Sequence, residues 1–392
     1  MILNAIKIKN FKAIRNSGTV KLGKLNVLIG NNGSGKSSLM EAAETYRTFV
    51  GLGLDSAMQR FMGMEHVQNK YAKPDTPITF DLNVKVPKGH ADLKLSVATD
   101  SSRNLYNVLA ESLTCKALGI GAKRDASTKS DWKTQPNRHS LLQSLNLGVA
   151  TGVFDAFVNS WQFFSLVPEQ MGLPRAQTRT GGRIFLSRDG ANIAEYLLDI
   201  RERSPSALDD IIQAMSYVLP YASDIQPVIT IELERKAWLQ MSEGNFKIPG
   251  WMLSTGTLRV LSLIAVLMDP DPPPIVFIEE IENGLDPRTV GLLVDLMRSA
   301  AQSGRMQIVT TTHSPYLLDL LDLDDVLLCE RGPTGPEFSR PAGRPEMAQW
   351  RDRFMPGKLY TMNALQHEPQ APIADDSRVE GEAPDGGWGA DE

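Results

Sequence analysis

Cysteine is scarce in this 392-residue chain, which contains only Cys115 and Cys329. Two cysteines so far apart form neither a paired metal site nor a disulfide framework, so we expect a reducing, cytoplasmic environment. The longest apolar run, Leu261–Met268, is far shorter than the roughly 20 residues that cross a bilayer. The first residues also lack the pattern of a signal peptide. We therefore expect no association with a membrane.

An excess of positive charge is also lacking, because 41 lysines and arginines stand against 46 aspartates and glutamates, a formal net charge of -5. For the whole chain, this argues against a strongly basic nucleic-acid coat. Most of the negative charge lies after residue 365, among many Pro, Gly and Ala residues. Such a composition buries little apolar surface, so we predict an acidic, disordered tail over 366–392. The body, residues 1–365, is left slightly positive.

Two groups of basic residues in the middle of the chain are compatible with contacts to DNA phosphates. They are equally compatible with solvated loops, and the sequence leaves both interpretations open. The residues concerned are Arg175, Arg179, Arg183 and Arg188 in one group, and Lys123, Arg124, Lys129, Lys133 and Arg138 in the other.

The two ends of the body have clear secondary-structure patterns. Alternating residues near the N-terminus predict a hairpin and then a buried strand ending at Ile29. After Leu253, strands alternate with helices, which is typical of an α/β fold with a mostly parallel sheet. The predicted strands lie at 78–86, 93–97, 228–239, 246–248, 275–279, 308–312 and 326–329, and the predicted helices at 36–49, 257–268 and 286–304.

The middle of the chain has weaker patterns. Residues 105–118 and 141–158 are compatible with helices, and 190–219 predicts two helices that break at Ser204–Pro205. We therefore predict halves at about 1–99 and 226–365, an antiparallel β subdomain, and a mainly helical insertion at about 100–225. Sustained heptads are absent, which excludes a long coiled coil.

One segment fits the phosphate-binding pattern G-x-x-x-x-G-K-[ST] and lies between a predicted strand and a predicted helix. Its glycines allow backbone amides to surround phosphate, while the lysine reaches the β- and γ-phosphates and the first serine binds Mg²⁺. We therefore predict that the chain binds ATP and Mg²⁺ here. The candidate residues are Gly30, Asn31, Asn32, Gly33, Ser34, Gly35, Lys36, Ser37 and Ser38.

A second candidate site follows the apolar strand 275–278, which ends in Glu279 and Glu280. A strand this apolar is buried on both faces, so its acids emerge at the carboxyl end, where ligands of open α/β sheets bind. We predict that Glu279 holds Mg²⁺ and that Glu280 orients or deprotonates the attacking water. Without the upstream phosphate loop, a solvated turn would explain this pair equally well.

Two further features are ambiguous on their own. Ser254 in LSTGTLR caps a predicted helix, which is either an anion site or an ordinary cap. His313 follows the strand 308–312 and is either structural or a sensor of the γ-phosphate.

The order of these motifs resembles the ATP-binding-cassette heads of the RecF/SMC-like group. IKIKNFKAI, LSTGTLR and IEEIENGLDP are similar to the compact AAA-family ATPases of that group, including the ATPase half of the overcoming-lysogenization-defect nucleases. The resemblance implies a head-to-tail homodimer in which Ser254, Gly256 and Thr257 contact the partner's ATP. It implies that Asp286 lies in a dimer-contact loop and that His313 is a switch histidine.

Three positions are less certain within this resemblance. Arg259 is either a trans phosphate contact or part of a surface salt bridge, Gln162 is the candidate Mg²⁺-sensing glutamine, and Ile281 replaces a usual proline. The larger nuclease relatives carry a Toprim domain, for which the residues after His313 are too few. We therefore expect any nuclease effector to be a separate polypeptide.

These observations leave several functions open. The favoured hypothesis is an ATPase, acting in anti-phage defence with a separate effector and with DNA as a further partner. Alternatives are a DNA repair or recombination ATPase and a slow ATP-sensing regulator of a toxin. A transporter motor is disfavoured, because its signature would be of the LSGGQ type and more than 200 residues separate Ser37 from Leu253.

Overall fold

The computed structural model describes residues 1–73, 76–100, 105–125, 139–143, 149–178, 181–230 and 235–366. The fold is mixed α/β, with three sheets. The strands are β1 (Ile2–Phe11), β2 (Ile14–Asn16), β3 (Val20–Lys21), β4 (Leu25–Ile29), β5 (Ile78–Val86), β6 (Gly89–Asp100), β7 (Leu105–Cys115), β8 (Ile120–Asp125), β9 (Gln162–Phe164), β10 (Arg175–Ala176), β11 (Asp224–Ile229), β12 (Lys236–Glu243), β13 (Phe246–Pro249), β14 (Ile275–Ile278), β15 (Gln307–Thr311), β16 (Val326–Gly332) and β17 (Gly335–Ser339).

The helices connect and cover these sheets. They are α1 (Lys36–Leu52), α2 (Leu54–Gln59), α3 (Met64–Val67), α4 (Val149–Asn159), α5 (Pro168–Met171), α6 (Ile193–Arg203), α7 (Pro205–Val218), α8 (Thr255–Leu267), α9 (Pro287–Gln302), α10 (Pro315–Asp319), α11 (Met347–Trp350) and α12 (Pro356–Thr361). Among the described residues the longest helix, α1, has 17 residues, so no long coiled coil is present there.

The central sheet is mostly parallel, as predicted. Its order is β17-β16-β4-β15-β14-β9, and only the β16–β17 pair is antiparallel. Both faces are buried, because Val27 and Ile278 lie in one hydrophobic core while Leu28 and Phe277 lie in the other. This two-sided burial explains why its strands are continuous apolar runs.

An antiparallel sheet packs over one face of the central sheet. Its strands follow the order β2-β1-β5-β6-β7-β8, with β3 also paired to β1. Helix α1 lies in the same hydrophobic core, where Tyr46 and Phe49 are buried with Phe80 of β5. A third sheet, β10-β12-β11 with β13 on β12, packs with α6 and α7 in the other core.

Two parts of the sequence prediction are corrected. Residues 105–115 form β7 rather than a helix, since Glu111, Leu113 and Cys115 alternate inward and the strand pairs with β6. The antiparallel sheet therefore continues to Asp125 instead of ending near residue 99. The single strand predicted at 228–239 is two strands, β11 and β12. The predicted tail, except Gln366, lies outside the described residues.

Other predicted elements are confirmed. The break at Ser204–Pro205 separates α6 from α7, and the strand predicted at 326–329 is part of β16. No helix among the described residues is long and apolar enough to cross a membrane.

Candidate functional site

The glycine-rich loop lies between β4 and α1, at the carboxyl edge of the parallel sheet. Gly30, Gly33 and Gly35 all have positive φ angles, of 139°, 74° and 107°. A Cβ atom on Gly30 would lie 2.0 Å from the carbonyl oxygen of Cys329, so only glycine fits there. The loop thus delivers the amino end of a long helix to the sheet edge, which is an arrangement suited to an anion.

Lys36 is the first residue of α1 and is 7% exposed. Its Nζ donates hydrogen bonds to the carbonyl oxygens of Gly30, at 2.7 Å, and Asn31, at 3.1 Å. Burial lowers the pKa of Lys36, although the negative charge of Glu280 opposes this effect. The ammonium group is therefore fixed beside the loop.

The two acids that follow β14 are held by both neighbouring strands. The amide of Glu279 donates to the carbonyl of Phe164 at 3.0 Å, and the amide of Glu280 donates to the hydroxyl of Thr311 at 2.9 Å. Glu280 has a φ of 47°, in the left-handed region that non-glycine residues rarely adopt. Its exposed carboxylate also accepts a bond of 3.4 Å from Asn283.

The loop and the acids face one cavity of about 370 Å³. The structure brings together most of the predicted phosphate-loop residues, both acids, Arg259 and His313. The lining consists of Ala13, Asn32, Gly33, Ser34, Gly35, Lys36, Ser37, Ser38, Ser165, Leu166, Arg259, Glu279, Glu280, Asn283, Thr311 and His313. Gly30 and Asn31 are not in the lining and instead supply the carbonyls that hold Lys36.

His313 lies at the mouth of this cavity and is exposed. Its backbone amide donates to a carboxylate oxygen of Glu282 at 2.7 Å. Glu282 belongs to the turn that follows the two acids, so this bond joins the turn after β14 to the turn after β15.

Ser254, Gly256 and Thr257 of the signature segment lie outside the cavity lining. Ser254 is exposed and caps α8, where its Oγ accepts a bond of 3.1 Å from the amide of Thr257. A Cβ atom on Gly256 would lie 2.8 Å from the carbonyl oxygen of Gly284, so the signature packs closely against the loop before α9.

Asp286 caps α9. Its carboxylate accepts hydrogen bonds from the amides of Arg288 and Thr289 and from the hydroxyl of Thr289. The hydroxyl bond is the main cause that lowers the pKa of Asp286.

The structure contradicts one of the two interpretations of Arg259, and the trans phosphate contact stays a prediction. Its side chain is 6% exposed, so it is not part of a surface salt bridge. It lies in its own chain's cavity lining and donates to the backbone carbonyls of Leu166, Glu279 and Glu280. The segment that provides the signature therefore also contacts the acidic turn within the same protomer.

Gln162 is not brought to the site. It is the first residue of β9 and pairs with Val276, whereas the cavity lies beyond the carboxyl ends of the strands. Ser165 and Leu166, which follow β9, line the cavity instead. The short apolar segment before Ser165 is the sequence feature that could have indicated these two residues. The pairing of that segment with β14, which brings Ser165 and Leu166 to the cavity, could not be predicted from the sequence.

Several basic residues considered for DNA contacts are engaged within the protein. Arg183 pairs with Asp269 and Asp271, and Arg188 lies 3.3 Å from Glu44 and 3.9 Å from Glu279. Lys123 pairs with Asp125, and Arg124 with the buried Glu111. Arg175 is exposed, and Arg179, Lys129, Lys133 and Arg138 lie outside the described residues.

A second cavity of about 410 Å³ adjoins the first, and both include Ala13 and Gly33. Lys12, Arg15 and Arg331 give it a basic character, and Tyr71 adds an exposed ring.

The residues present fit a nucleotide with Mg²⁺. Gly33 leaves open space where a Cβ would lie, so phosphate can approach the loop amides. Lys36 supplies a fixed positive charge, while Ser37 and Glu279 present the oxygen ligands that Mg²⁺ prefers.

The fold is similar to that of the ABC-type heads of SMC proteins, and two family models match parts of the chain. Residues 1–45 match a family model described as "AAA ATPase domain". Residues 185–319 match a model described as "AAA domain, putative AbiEii toxin, Type IV TA system". These two matches contain the phosphate loop and the acidic pair, respectively.

Two solved structures share the fold. An SMC head bound to the C-terminal winged-helix domain of ScpA has a TM-score of 0.58 at 12% identity, covering 86% of this chain and 97% of that one. An SMC head with an extended coiled coil, bound to the C-terminal domain of ScpA from Pyrococcus furiosus, has a TM-score of 0.55 at 10% identity, covering 90% and 100%.

Curated relatives are distant. An "ATP/GTP phosphatase" of Helicobacter pylori is 21% identical over 353 residues, which is 82% of this chain and 88% of that protein. The "Opaque-specific ABC transporter CDR3" of Candida albicans is 27% identical over 199 residues, half of this chain but only 12% of the transporter. The transporter match is therefore confined to one segment of a much longer protein.

Proposed function

We propose that this protein is a Mg²⁺-dependent ATPase that releases phosphate from ATP. The observation that carries the proposal is the meeting of Lys36 and Ser37 with Glu279 and Glu280 around one cavity. The similarity to AAA-family domains and to a phosphatase of ATP and GTP supports the same activity.

Five side chains of the cavity have roles in the proposed reaction. Lys36 binds the β- and γ-phosphates, and the amides of the glycine-rich loop surround them. Ser37 and Glu279 would hold Mg²⁺, which would neutralise phosphate charge when bound. Glu280 orients the attacking water and accepts its proton, while His313 contacts the γ-phosphate. The basic second cavity receives the nucleoside.

A comparison of two lysine variants tests this activity. We expect Lys36→Ala to lower both ATP affinity and phosphate release by at least about tenfold, since a fixed phosphate contact is lost. Lys24→Ala is the matched control, because Lys24 is an exposed lysine outside the cavity lining whose Nζ donates to the carbonyl of Gln302. Equal phosphate release by wild type and Lys36→Ala would refute the assignment.

We further propose that the protein forms a head-to-tail dimer on ATP. Ser254 and Asp286 are exposed and do not line their own chain's cavity, which supports a role for them at the nucleotide site of a second copy. Light scattering of Glu280→Gln with ATP should report a dimer, and Ser254→Arg added to it should give a monomer. Ser216→Arg, at an exposed position on α7, should leave the dimer intact. An unchanged dimer with Ser254→Arg would exclude this interface.

The biological role proposed is anti-phage defence with a separately encoded, nuclease-like effector. It rests on the resemblance to overcoming-lysogenization-defect ATPases. The ScpA domains bound to similar SMC heads support the idea of a protein partner, without naming one. The engagement of Arg183 and Arg188 in ion pairs leaves DNA binding supported mainly by the resemblance.

A regulator of a toxin is a second candidate, favoured by the family description that names a toxin–antitoxin system. Purification of the tagged protein from its native host distinguishes the two roles. A stoichiometric partner with nuclease activity supports defence with an effector, and a stoichiometric toxin without nuclease activity supports the regulator. DNA binding at low salt, with and without ATP, tests the nucleic-acid link, and its absence would remove that link.

A further inference from the structure

Arg259 joins three backbone segments beside the acidic turn. Its Nη1 donates to the carbonyl oxygen of Leu166 at 3.3 Å, and its Nη2 donates to those of Glu279, at 3.2 Å, and Glu280, at 2.6 Å. Leu166 lies beyond the end of β9, while Glu279 and Glu280 follow β14. One guanidinium therefore ties the carboxyl ends of two neighbouring strands to helix α8.

The turn that Arg259 holds is conformationally demanding. Glu280 has a φ of 47°, in the left-handed region that non-glycine residues rarely adopt. Its amide is bound by the hydroxyl of Thr311 on one side, and its carbonyl by Arg259 on the other. The backbone on both sides of the Glu280 side chain is thus fixed, which directs the carboxylate into the cavity.

The contacts require the shape of an arginine. A planar guanidinium offers five donors in a fixed arrangement, whereas a lysine ammonium is a single point charge on a flexible stem. Burial lowers the pKa of Arg259, and the charges of Glu280 and Glu282 oppose this effect. The arginine remains protonated, because its ordinary pKa is far above neutrality.

The beginning of helix α8 also contacts the far end of the same turn, at Gly284. Gly256, in the first turn of α8, packs against the carbonyl of Gly284, and Ser254 caps the helix three residues before Thr257. The segment from Ser254 to Arg259 therefore touches the acidic turn at both Gly284 and Glu280. A shift of the signature end of α8 must displace that turn.

We propose that Arg259 is a positioning residue for Glu280, through which the exposed signature at Ser254 is coupled to the orientation of the hydrolytic carboxylate. The proposal rests on the ATPase function proposed above. It assigns Arg259 a role within its own protomer rather than at the nucleotide of a second copy. Contact at the signature then sets the geometry of hydrolysis in the same protomer.

Three variants test the role: Arg259→Lys, Arg259→Ala and Arg344→Ala. Arg344 is the control, since it is another poorly exposed arginine that donates to a backbone carbonyl, that of Leu365, outside the cavity lining. Steady-state kinetics should separate kcat from KM, and a fluorescent ATP analogue should report binding. We expect kcat to fall about 100-fold for Arg259→Ala, with KM within about threefold of wild type.

Arg259→Lys keeps the charge and one donor, so its kcat should lie between those of wild type and Arg259→Ala. If Arg259→Ala does not fold, Arg259→Lys decides, with a fall in kcat of at least about tenfold at unchanged analogue affinity. Arg344→Ala should lose thermal stability without changing kcat. A kcat within twofold of wild type for the folded Arg259 variants would overturn the proposal.

A loss of nucleotide affinity equal to the loss of kcat would overturn it as well, because a positioning role acts on hydrolysis alone. Absence of phosphate release from wild-type protein would instead contradict the ATPase function itself. The two failures are therefore distinguishable in one experiment.

Discussion

The hydroxyl of Thr311, at the end of β15, accepts a hydrogen bond of 2.9 Å from the backbone amide of Glu280, at the end of β14. Two neighbouring parallel strands thus cooperate to hold one carboxylate. The bond also explains how a glutamate adopts a φ of 47° without glycine's freedom, since its amide has a fixed partner in that conformation.

Removal of this acceptor should impair hydrolysis. Thr311→Val keeps the shape of the side chain but leaves the Glu280 amide without its partner, which costs about 1–3 kcal/mol. We expect kcat to fall about tenfold, with little change in ATP affinity. Thr311→Ser retains the hydroxyl and serves as the control. Equal kcat for the valine and serine variants would show that this bond does not position Glu280.

Much of the site was predictable because its residues are close in sequence. The phosphate loop needs only a strand, three glycines and a helix, all within residues 25–52. The acidic pair is likewise marked by the apolar strand before it. In such segments, the same few residues determine both the local conformation and the chemistry. A short sequence pattern is therefore sufficient to predict the site.

The remaining features depend on distant pairings. Arg259 binds the carbonyl of Leu166 across 93 positions, and Arg188 pairs with Glu44 and Glu279, so neither role has a local signal. The strand β7 was compatible with a helix because its alternation becomes decisive only beside β6. Gln162 was chosen by residue type, whereas strand register placed Ser165 at the cavity.

Two glycines of the phosphate loop should differ in their response to alanine. Gly30→Ala places a Cβ 2.0 Å from the backbone oxygen of Cys329, so we expect a loss of more than about 3 kcal/mol in unfolding free energy. The Cβ added by Gly33→Ala has no atom within 4 Å. Only the positive φ of this residue therefore lowers the unfolding free energy, by about 1–2 kcal/mol. Urea denaturation measures both effects.

Gly18→Ala is the control for Gly33→Ala, since Gly18 has a φ of 63° and equally open surroundings. Both variants should lose similar stability, but only Gly33→Ala should bind ATP more weakly, because Gly33 lines the cavity. Equal ATP affinity for the two variants would place phosphate elsewhere.

The buried carboxylate of Asp269 should dominate stability in the region of α6 and α8. It is fully buried and accepts hydrogen bonds from Arg183, Arg203 and Tyr196. Asp269→Asn should therefore lower the unfolding free energy by about 1.5–3 kcal/mol at pH 7, because it weakens the charge-assisted hydrogen bonds from Arg183 and Arg203. The two arginines keep Asp271 and Asp199 as partners. Asp271→Asn, which removes only an exposed partner of Arg183, should cost about 0–1 kcal/mol.

The same carboxylate predicts a dependence on pH. Burial acts to raise the pKa of Asp269, but bonds from Arg203, Tyr196 and the Asp271 amide outweigh it, so the pKa lies below the usual range. The stabilisation is therefore complete above the unfolded pKa of about 3.9 and is lost as the pH falls through the folded value. The stability gap between wild type and Asp269→Asn should narrow below about pH 4, and a constant gap would contradict this.

The thiols should be unreactive in the folded protein. Cys115 and Cys329 are both fully buried, and burial raises the pKa of the Cys329 thiol to about 11. At pH 8 only about 0.1% of such a thiol is the reactive thiolate. We expect no reaction with Ellman's reagent until urea unfolds the protein, when both thiols react. Rapid reaction of the Cys329 thiol under native conditions would contradict the packing of Cys329 against Ser34.

The most direct test of the account is single-turnover phosphate release by Glu280→Gln with Mg²⁺ and ATP. Glu243→Gln, an exposed glutamate on β12, is the matched control. We predict that wild type and Glu243→Gln release phosphate at the same rate, while Glu280→Gln binds ATP normally and releases phosphate at least about 100-fold more slowly. Release by Glu280→Gln at the wild-type rate would contradict the assignment of this carboxylate as the group that activates water.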